Sequence, residues 1–250
     1  MKVTMIPVNA EDVINRLYVA CRTCYHAGKP EDMYKEILVA DYELQEFKFL
    51  EQEKRVKLIK YVLDSGHHSV LEHQSLTFLI SGVSRALTHQ LVRHRLCSYS
   101  QQSQRYCDVE DGKFEYVTPR SIENDNEALK IFEKTMSDLA VAYDTLRKLD
   151  IPSEDARSVL PNACCSNITM SVNLRELIHI CNERLCTCAQ DEIRGLFKQI
   201  AKEVSNSLPF MKSYLVPKCE ALGYCNEEKR GCGRKPKKSS IAFVKSEGGK

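Results

Sequence analysis

The chain has 250 residues, of which 43% are hydrophobic and 28% are charged, and its formal net charge is +2. This composition excludes collagen-like and low-complexity proteins, and the near-neutral charge predicts no bulk attraction to nucleic acid. No apolar run is long enough for a transmembrane helix, and Pro7 and Glu11 interrupt any signal-peptide block. We therefore expect a cytoplasmic protein whose twelve cysteines are reduced thiols.

The first elements predicted along the chain are a strand, two helices and a second strand. Residues 2–6 have the character of a short strand, and apolar residues at helical spacing predict helices over 11–24 and 48–65. Apolar and polar residues alternate over 76–80, which predicts a half-buried strand. We expect Ser81-Gly82 to end this strand, because serine and glycine are frequent in turns.

The segment from residue 73 to residue 107 is distinguished by its charge, and a helix is predicted over 83–93 within it. It contains no Asp, Glu or Lys. Its cationic and titratable residues include Arg85, Arg93, Arg95, Arg105, His89 and His94. Guanidinium groups without acids nearby repel one another, and their planar donor forks suit phosphate or carboxylate. We therefore interpret this segment as an anion-binding site.

A dense run of polar side chains follows Arg93-His94-Arg95 and extends from Ser98 to Tyr106. A packing role would not require so many hydrogen-bonding groups. Amides and hydroxyls can match the edge of a nucleobase while arginine binds a phosphate. The run therefore predicts a nucleotide site, and a solvated polar loop is the alternative.

The second half of the chain again mixes strands and helices. In order, the sequence predicts a strand over 113–118, a helix over 125–149, a short helix that Ser153 caps and Pro161 ends, a strand over 168–172 and a helical segment over 173–204. The last segment forms either one helix or two that meet near Gly195, and Asn173 with Glu176 resembles a capping pair. Helices outnumber strands and the order is irregular, so the predicted fold class is α+β.

Two interpretations are open for the cations of the helical segment over 173–204. Arg175 and His179 lie four residues apart and so share a helix face, which suits ligand binding. Arg175 and Arg184 also have acidic neighbours in sequence, so ordinary surface ion pairs would explain them equally well.

Two groups of residues raise the question of a metal. Residues 66–73 hold three histidines and Glu72, but neither in the H-E-x-x-H nor in the H-x-x-E-H order. Cys219, Cys225 and Cys232 lack a C-x2-C pair and a clear fourth ligand. We therefore predict no metal site.

The C-terminal residues 226–250 differ from the rest of the chain in charge. They carry eight Lys or Arg and three Glu, a net charge of +5. This composition predicts a flexible basic tail, for which solubilisation is favoured over binding to RNA or an acidic partner. Residues 1–225 are then expected to form the folded domain.

Four motifs together resemble those of flavin-dependent thymidylate synthases. Arg93-His94-Arg95, seven residues and Ser103 resemble the RHR-x7-S signature of that family. GHHSVLEH at 66–73 is similar to its Gly-His and Glu-His segment, and RSVLP at 157–161 to its R-x-x-L-P. Residues 173–194 are similar to its C-terminal half, so the resemblance spans roughly residues 60–215.

The resemblance implies a fold, a reaction and a set of small molecules. It implies the family's own thymidylate synthase-complementing fold, with a small, mostly antiparallel sheet, and a homotetramer with active sites shared between subunits. It also implies reductive methylation of dUMP to dTMP by a methyltransferase. The one-carbon donor is 5,10-methylenetetrahydrofolate, and FAD with NADPH supplies hydride. Neither a membrane nor a specific nucleic acid is expected as partner.

The resemblance also implies roles for individual residues. Those placed near the flavin are His67, Ser69, Arg93, His94, Arg95, Gln101, Asn173, Arg175 and His179. Those placed on the nucleotide are Gln90, Arg93, Gln101, Gln102, Ser103, Gln104, Arg105, Arg157 and Arg184. Arg184 is the implied catalytic residue, because a guanidinium near the pyrimidine favours its ionised form.

Two residues depart from the pattern of the family. Gln101 stands where many members carry Glu, and His179 where many carry Asn. Both offer polar contacts, so function is expected to survive. Two alternatives from other classes remain: a nucleotide- or RNA-binding module that uses residues 85–105, and a zinc hydrolase that uses His67–His73.

Overall fold

A four-stranded antiparallel sheet lies at the centre of the computed structural model, which describes residues 1–43, 48–107 and 113–241. The strands are β1 (Lys2–Met5), β2 (Ser75–Ser84), β3 (Cys97–Gln101) and β4 (Cys165–Asn173). Their order is β1-β2-β4-β3, so β2 and β4 are the central pair. The small antiparallel sheet that was expected is confirmed.

Side-chain alternation on the central strands explains why they were predictable. Ile168, Met170 and Val172 of β4 are buried, and Phe78 and Ile80 of β2 are buried beside them. Phe78 pairs with Met170 in the register of the two strands. One face of the sheet therefore carries a continuous apolar surface, as the period of two indicates.

Ten α-helices and several short 3₁₀ turns surround the sheet in the described ranges. The helices are α1 (Ala10–Thr23), α2 (Pro30–Glu43), α3 (Lys48–Asp64), α4 (Arg85–Leu91), α5 (Arg120–Glu123), α6 (Asn126–Lys148), α7 (Ser153–Ala156), α8 (Leu174–Arg184), α9 (Asp191–Ser207) and α10 (Lys218–Leu222). The 3₁₀ turns are His68–His73, Arg157–Val159, Pro209–Ser213, Glu228–Arg230 and Lys238–Ser240. The α+β class is confirmed.

The main core forms between the apolar face of the sheet and helices α1, α3, α8 and α9. Leu17 of α1, Ile59 of α3, Leu177 of α8 and Phe197 of α9 are completely buried in it. Burial of such side chains contributes about 1.5–3 kcal/mol each, so this core holds the four helices firmly against the sheet.

The strand–helix boundary predicted at residues 81–82 is wrong. Strand β2 continues through Gly82 to Ser84, and its register against β4 shifts between Ile80 and Val83, as at a β-bulge. Gly82 has φ +66°, and a Cβ there would lie 3.3 Å from the Met1 backbone nitrogen. The glycine therefore allows a bulge inside the strand instead of ending it.

Of the other strands, one that the sequence predicts is absent and one that it does not predict is present. The strand expected over 113–118 is absent among these residues, where Tyr116 makes only an isolated bridge to Cys164. Conversely, the polar segment 97–101 forms β3, which the sequence did not predict. The backbone N–H and C=O groups of this segment pair with those of β4, so the strand forms without alternating apolar side chains of its own.

The helices also differ from prediction at three places. Helix α2 was missed because apolar residues such as Val39 lie on its exposed side as well as its buried one. The segment 173–204 does divide, but at residues 185–190, and Gly195 lies inside α9. Gln190 accepts the Ile193 N–H and so caps α9. Ser153 is the first residue of α7 rather than its cap.

The basic segment is described as far as residue 241, and the tail from 242 lies outside the described residues. Cys225 forms an isolated bridge with Lys237, and the Arg234 guanidinium donates to Glu220 at 3.2 Å. The boundary at residue 225 stays a prediction. None of the described helices combines the length and the apolar character needed to cross a membrane.

Candidate active site

Strand register gathers three of the motifs at one end of the sheet, which we call the Asn173 end. Here Ser75 pairs with Asn173, and Cys97 pairs with Val172. The 3₁₀ turn His68–His73 leads into β2 at this end, and α8 leaves β4 there. The Arg93–Arg95 turn enters β3 at the same end, because α4 runs back along the sheet from Ser84. Histidine and arginine motifs far apart in sequence therefore meet.

Tyr99 fixes the turn that carries the Arg-His-Arg motif. Its hydroxyl lies 2.8 Å from the Leu91 carbonyl oxygen and 3.1 Å from that of His94. Leu91 is the last residue of α4, and its carbonyl also accepts the His94 N–H, whereas the His94 carbonyl belongs to the turn that follows the helix. Burial raises the pKa of Tyr99 well above its usual value, so the hydroxyl remains a donor. The turn is thereby held against β3.

The His94 side chain is only 10% exposed, whereas Arg93 and Arg95 are exposed. The Arg184 Nε donates to His94 Nε2 at 3.0 Å, and His94 Nδ1 lies 4.0 Å from a Glu176 carboxylate oxygen. Because Nε2 accepts a hydrogen bond, the ring is neutral with its proton on Nδ1, facing Glu176. His94 thus links the turn after α4 to both ends of α8.

Burial is the main reason that the pKa of His94 falls from 6.5 to about 4, with further lowering by Arg184 and His179. Glu183 opposes this shift. Burial likewise raises the pKa of Glu176, and His179 counteracts it. The neutral imidazole can therefore accept from Arg184 throughout the neutral pH range.

One possible metal site occurs in the described ranges. It consists of His94, Glu176 and His179, whose potential ligand atoms lie within 4.8 Å of one another. The guanidinium of Arg184 contacts His94 directly and would repel a cation. The histidines of the 67–73 segment form no such group among the described residues, and His68 Nε2 lies 3.0 Å from the Leu63 carbonyl oxygen. The geometry does not support a zinc hydrolase there.

The outer face of α8 presents Arg175 and His179 to solvent, as the four-residue spacing predicts. Arg175 forms an ion pair with Glu72, which ties α8 to the 3₁₀ turn. Arg175 and His179 line a cavity of about 640 Å³ together with His68. His67 and Ser69 are exposed on the neighbouring turn, where the His67 ring stands edge-on to Tyr25. Asn173 caps α8 by accepting the Glu176 N–H at 2.8 Å.

The polar run 101–105 lies at the opposite end of the sheet, which we call the Cys165 end. Gln101 donates to Thr88 at 3.0 Å and to Ser166 at 3.2 Å. Gln102, Ser103 and Gln104 line a cavity of about 250 Å³. The Asn167 side chain donates to Gln102 at 2.9 Å, which aligns this residue along β4. Gln90, in the last turn of α4, is half-buried.

The structure brings Arg105 and Arg157 together through Glu154. Arg105 donates to the Glu154 carboxylate through Nε at 2.9 Å and Nη2 at 2.7 Å. Arg157 Nε donates to the Glu154 backbone carbonyl at 3.0 Å. The interpretation of residues 73–107 as a segment without counter-charge is therefore wrong for Arg105. An acid that is distant in sequence supplies the counter-charge.

Sequence reasoning missed four residues of this arrangement: Glu72, Tyr99, Glu154 and Glu176. Glu176 was detectable in principle, because it lies three residues before His179 and so beside it on α8. Glu72 and Glu154 pair with arginines far away in sequence, so only the fold reveals them.

Comparison with known families matches most of the chain to one family. Residues 8–210 match the family model described as "Thymidylate synthase complementing protein". The chain belongs to this family. All the residues predicted for the site, from His67 to Arg184, lie within the matched range.

Several curated relatives carry the name flavin-dependent thymidylate synthase. The relative from Nitratidesulfovibrio vulgaris is 43% identical over 237 residues, which cover 91% of this chain and 93% of the relative. That from Clostridium tetani is 38% identical over 231 residues, or 86% of each chain. That from Pyrococcus abyssi is 44% identical over 172 residues, or 66% of this chain and 70% of the relative. Membership of the thymidylate synthase complementing family gives no support to an RNA-binding module.

The low pKa of His94 predicts a pH-dependent part of the stability. Between pH 6.5 and about 4 the unfolded chain binds a proton at His94 that the folded chain does not. The free energy of unfolding therefore falls as the pH is lowered through this window. In His94→Gln, which keeps an acceptor for Arg184, the free energy of unfolding should fall less over this window than in the unchanged protein. The difference should be up to about 3 kcal/mol, because one pKa unit corresponds to about 1.4 kcal/mol. Denaturant titrations at several pH values measure the difference.

The matched control is His89→Gln, since His89 is exposed on α4. Its stability should follow the pH dependence of the unchanged protein. Identical pH dependence in His94→Gln and in the unchanged protein would contradict the assignment of a neutral, buried His94.

Proposed function

We propose that this protein is a flavin-dependent thymidylate synthase that reductively methylates dUMP to dTMP. The one-carbon donor is 5,10-methylenetetrahydrofolate, FAD is the bound cofactor and NADPH is the reductant. Family membership and the names of the relatives support this proposal. The observation that carries it in the structure is the Arg184 side chain, oriented by a neutral His94 next to the Arg-His-Arg turn.

The residues at the Asn173 end fit an anionic cofactor. Arg93 and Arg95 are exposed, and neither forms an ion pair with any described residue. His67, Ser69, Arg175 and His179 add exposed polar groups around the cavity beside α8. Arginine forks suit the two phosphates of FAD. When bound, reduced FAD supplies the hydride for the methylation.

Three of the implied flavin residues have their side chains engaged within the protein. His94 binds Arg184, Gln101 binds Thr88 and Ser166, and Asn173 caps α8. We assign these three a positioning role. His94 and Asn173 hold the turn and the helix that present the exposed cations, and Gln101 holds β3 against α4.

Arg184 is the proposed catalytic residue. The hydrogen bond to His94 uses its Nε, and the two Nη groups donate to no described protein acceptor. They are therefore available for the oxygen atoms of a pyrimidine. Methylation at C5 requires electron density in the ring, and a fixed guanidinium stabilises the negative charge that develops on those oxygens. A neutral His94 orients this guanidinium without adding a second positive charge.

The nucleotide is proposed to bind residues of the Cys165 end. Gln102, Ser103 and Gln104 offer amide and hydroxyl groups to the base and sugar around one cavity. Arg105 and Arg157, which Glu154 brings together, are proposed to bind the phosphate. Gln90 and Arg93 complete the proposed set. Ser103 has no adjacent base among the contacts of its hydroxyl, which accepts the Arg105 N–H, so it serves in binding.

A homotetramer with shared active sites is part of the proposal. Within one chain the two ends of β3 are about 14 Å apart at the usual rise per residue, so flavin and nucleotide groups are separated. Exposed apolar side chains such as Ile131 and Val141 of α6 are suited to contacts between subunits. Catalysis then joins the Asn173 end of one subunit to the Cys165 end of another. The enzyme is proposed to act in the cytoplasm.

The first test of the function is spectroscopic. The purified protein, or the protein reconstituted with FAD, should show flavin absorbance that bleaches when NADPH is added without oxygen. Addition of dUMP and 5,10-methylenetetrahydrofolate should then yield dTMP, measured by chromatography. A protein that binds no added FAD would refute the proposed function.

Replacement of Arg184 tests its catalytic assignment. Arg184→Ala should lower kcat by about 100-fold or more, as for loss of one oriented donor to a developing anion. Flavin absorbance should be retained, and Arg184→Lys should recover part of the activity. Arg120→Ala is the control, because Arg120 is an exposed cation on α5. Unchanged turnover in Arg184→Ala would show that the residue does not contact the reacting base.

Replacement of Arg157 tests the phosphate site. Arg157→Ala should raise the KM for dUMP by about 10-fold or more, because a charged hydrogen bond contributes about 1.5–3 kcal/mol. The kcat at saturating dUMP should change much less, since the phosphate is remote from the reacting carbon. Steady-state kinetics measure both values, again against Arg120→Ala. A KM equal to that of the unchanged enzyme would exclude this role for Arg157.

A further inference from the structure

Five of the twelve free cysteines meet beside the C-terminal end of α8. Cys186, Cys188, Cys219 and Cys225 line one cavity of about 250 Å³, and Arg184 lines the same cavity. The first two come from the loop between α8 and α9, and the other two from the segment around α10. The fold therefore brings together thiols that are more than thirty residues apart in sequence.

Individual contacts connect the five thiols. Cys188 is within hydrogen-bonding contact of Cys186 and of Glu227, and its Sγ lies 3.3 Å from the Arg230 carbonyl oxygen. Cys232 forms a side-chain hydrogen bond with Thr187, the residue between Cys186 and Cys188. Both exposed thiols, Cys188 and Cys232, thus border the same loop. We call these five residues the cysteine cluster.

Hydrophobic burial cannot account for the conformation of the segment around this cluster. From Lys218 to Ile241, Cys225 is the one buried residue among those whose exposure is described. The regular structure there is limited to a five-residue helix and two three-residue turns. Small segments without an apolar core usually depend on a disulfide or a bound metal. All twelve cysteines are free, which favours a metal.

The charges around the cavity suit a thiolate-bound metal. Zn²⁺ with four thiolates has a net charge of −2. The three cations Arg184, Lys218 and Arg230 line the cavity together with two acids, Glu183 and Glu227. The excess of positive charge partly offsets the negative charge of a zinc thiolate site.

We propose that the cysteine cluster binds a structural zinc ion through four thiolates. Cys186, Cys219 and Cys225 supply three of them, and one of the two exposed residues, Cys188 or Cys232, supplies the fourth. The ion joins the C-terminal segment to the loop that follows Arg184. This differs from the expectation drawn from cysteine spacing, because the sequence could not place Cys186 next to Cys219.

Binding requires the sulfur atoms of the cluster to move closer together. The sulfur atoms do not converge as closely as the ligand atoms of His94, Glu176 and His179, the one such group among the described residues. Rotation of cysteine side chains between staggered positions has to bring the sulfurs to about 2.3 Å from the ion. Cys188 and Cys232 are exposed, so their side chains can rotate once their contacts with Arg230 and Thr187 are exchanged for the ion.

The experiment measures metal in the full-length protein, purified without chelator after growth with zinc. Mass spectrometry for metals should find about one zinc ion per chain. Separate Cys186→Ser, Cys219→Ser and Cys225→Ser variants should each lose at least about 10-fold of the zinc affinity. Of Cys188→Ser and Cys232→Ser, one should do the same. Cys24→Ser, an exposed thiol at the end of α1, is the matched control and should retain the ion.

A second measurement does not depend on the folding of the variants. Replacement of zinc by cobalt in the unchanged protein should produce the near-ultraviolet charge-transfer band of a tetrahedral cobalt thiolate. Cobalt without this band, zinc that persists in all five serine variants, or zinc that is lost only in His179→Ala would each overturn the proposal. These readouts do not involve flavin or turnover, so they remain decisive even if the proposed enzymatic function fails.

Discussion

The hydrogen bond between Arg184 and a neutral His94 is the constraint on which the site depends. It joins the end of α8 to the turn that leads into β3, and the buried Glu176 lies on the other side of the imidazole. A protonated His94 would put two like charges in contact in a buried place, which is costly. Burial of the ring therefore maintains the protonation state that lets it accept from the guanidinium.

Antiparallel pairing explains how distant motifs reach this contact. Because β2 and β4 run in opposite directions, the start of β2 and the end of β4 coincide at Asn173. Helix α4 then returns along the sheet, so the Arg-His-Arg turn reaches the same end. The bulge at Gly82 allows β2 to continue to Ser84, which caps α4 and bonds Glu192 of α9. A strand that ended at residue 81 would start this helix elsewhere.

The elements that could be predicted from the sequence are those whose buried faces produce a periodic apolar pattern. The period of two in β4 and the helical periods of α1, α3 and α6 reflect faces that pack, so these elements were predictable. Strand β3 was not, because backbone pairing rather than apolar side chains stabilises it. The motifs indicated the cationic residues, but no sequence pattern indicated that Glu72 and Glu154 are their acidic partners. Such ion pairs leave no periodic signal and depend on the tertiary fold.

The separation of the two ends of the sheet follows from the same topology. The residues that follow β3 must lie at the end opposite the turn that precedes it, so Ser103 cannot approach His94 within one chain without breaking the strand. A reaction that needs both groups at one ligand therefore has to take them from different copies of the sheet. Arg93 and Arg95 are exposed at the Asn173 end, where the proposed tetramer would bring the Cys165 end of a second subunit. In the proposed tetramer the short polar strand β3 serves as a spacer between the two groups of residues, and a second subunit completes the site.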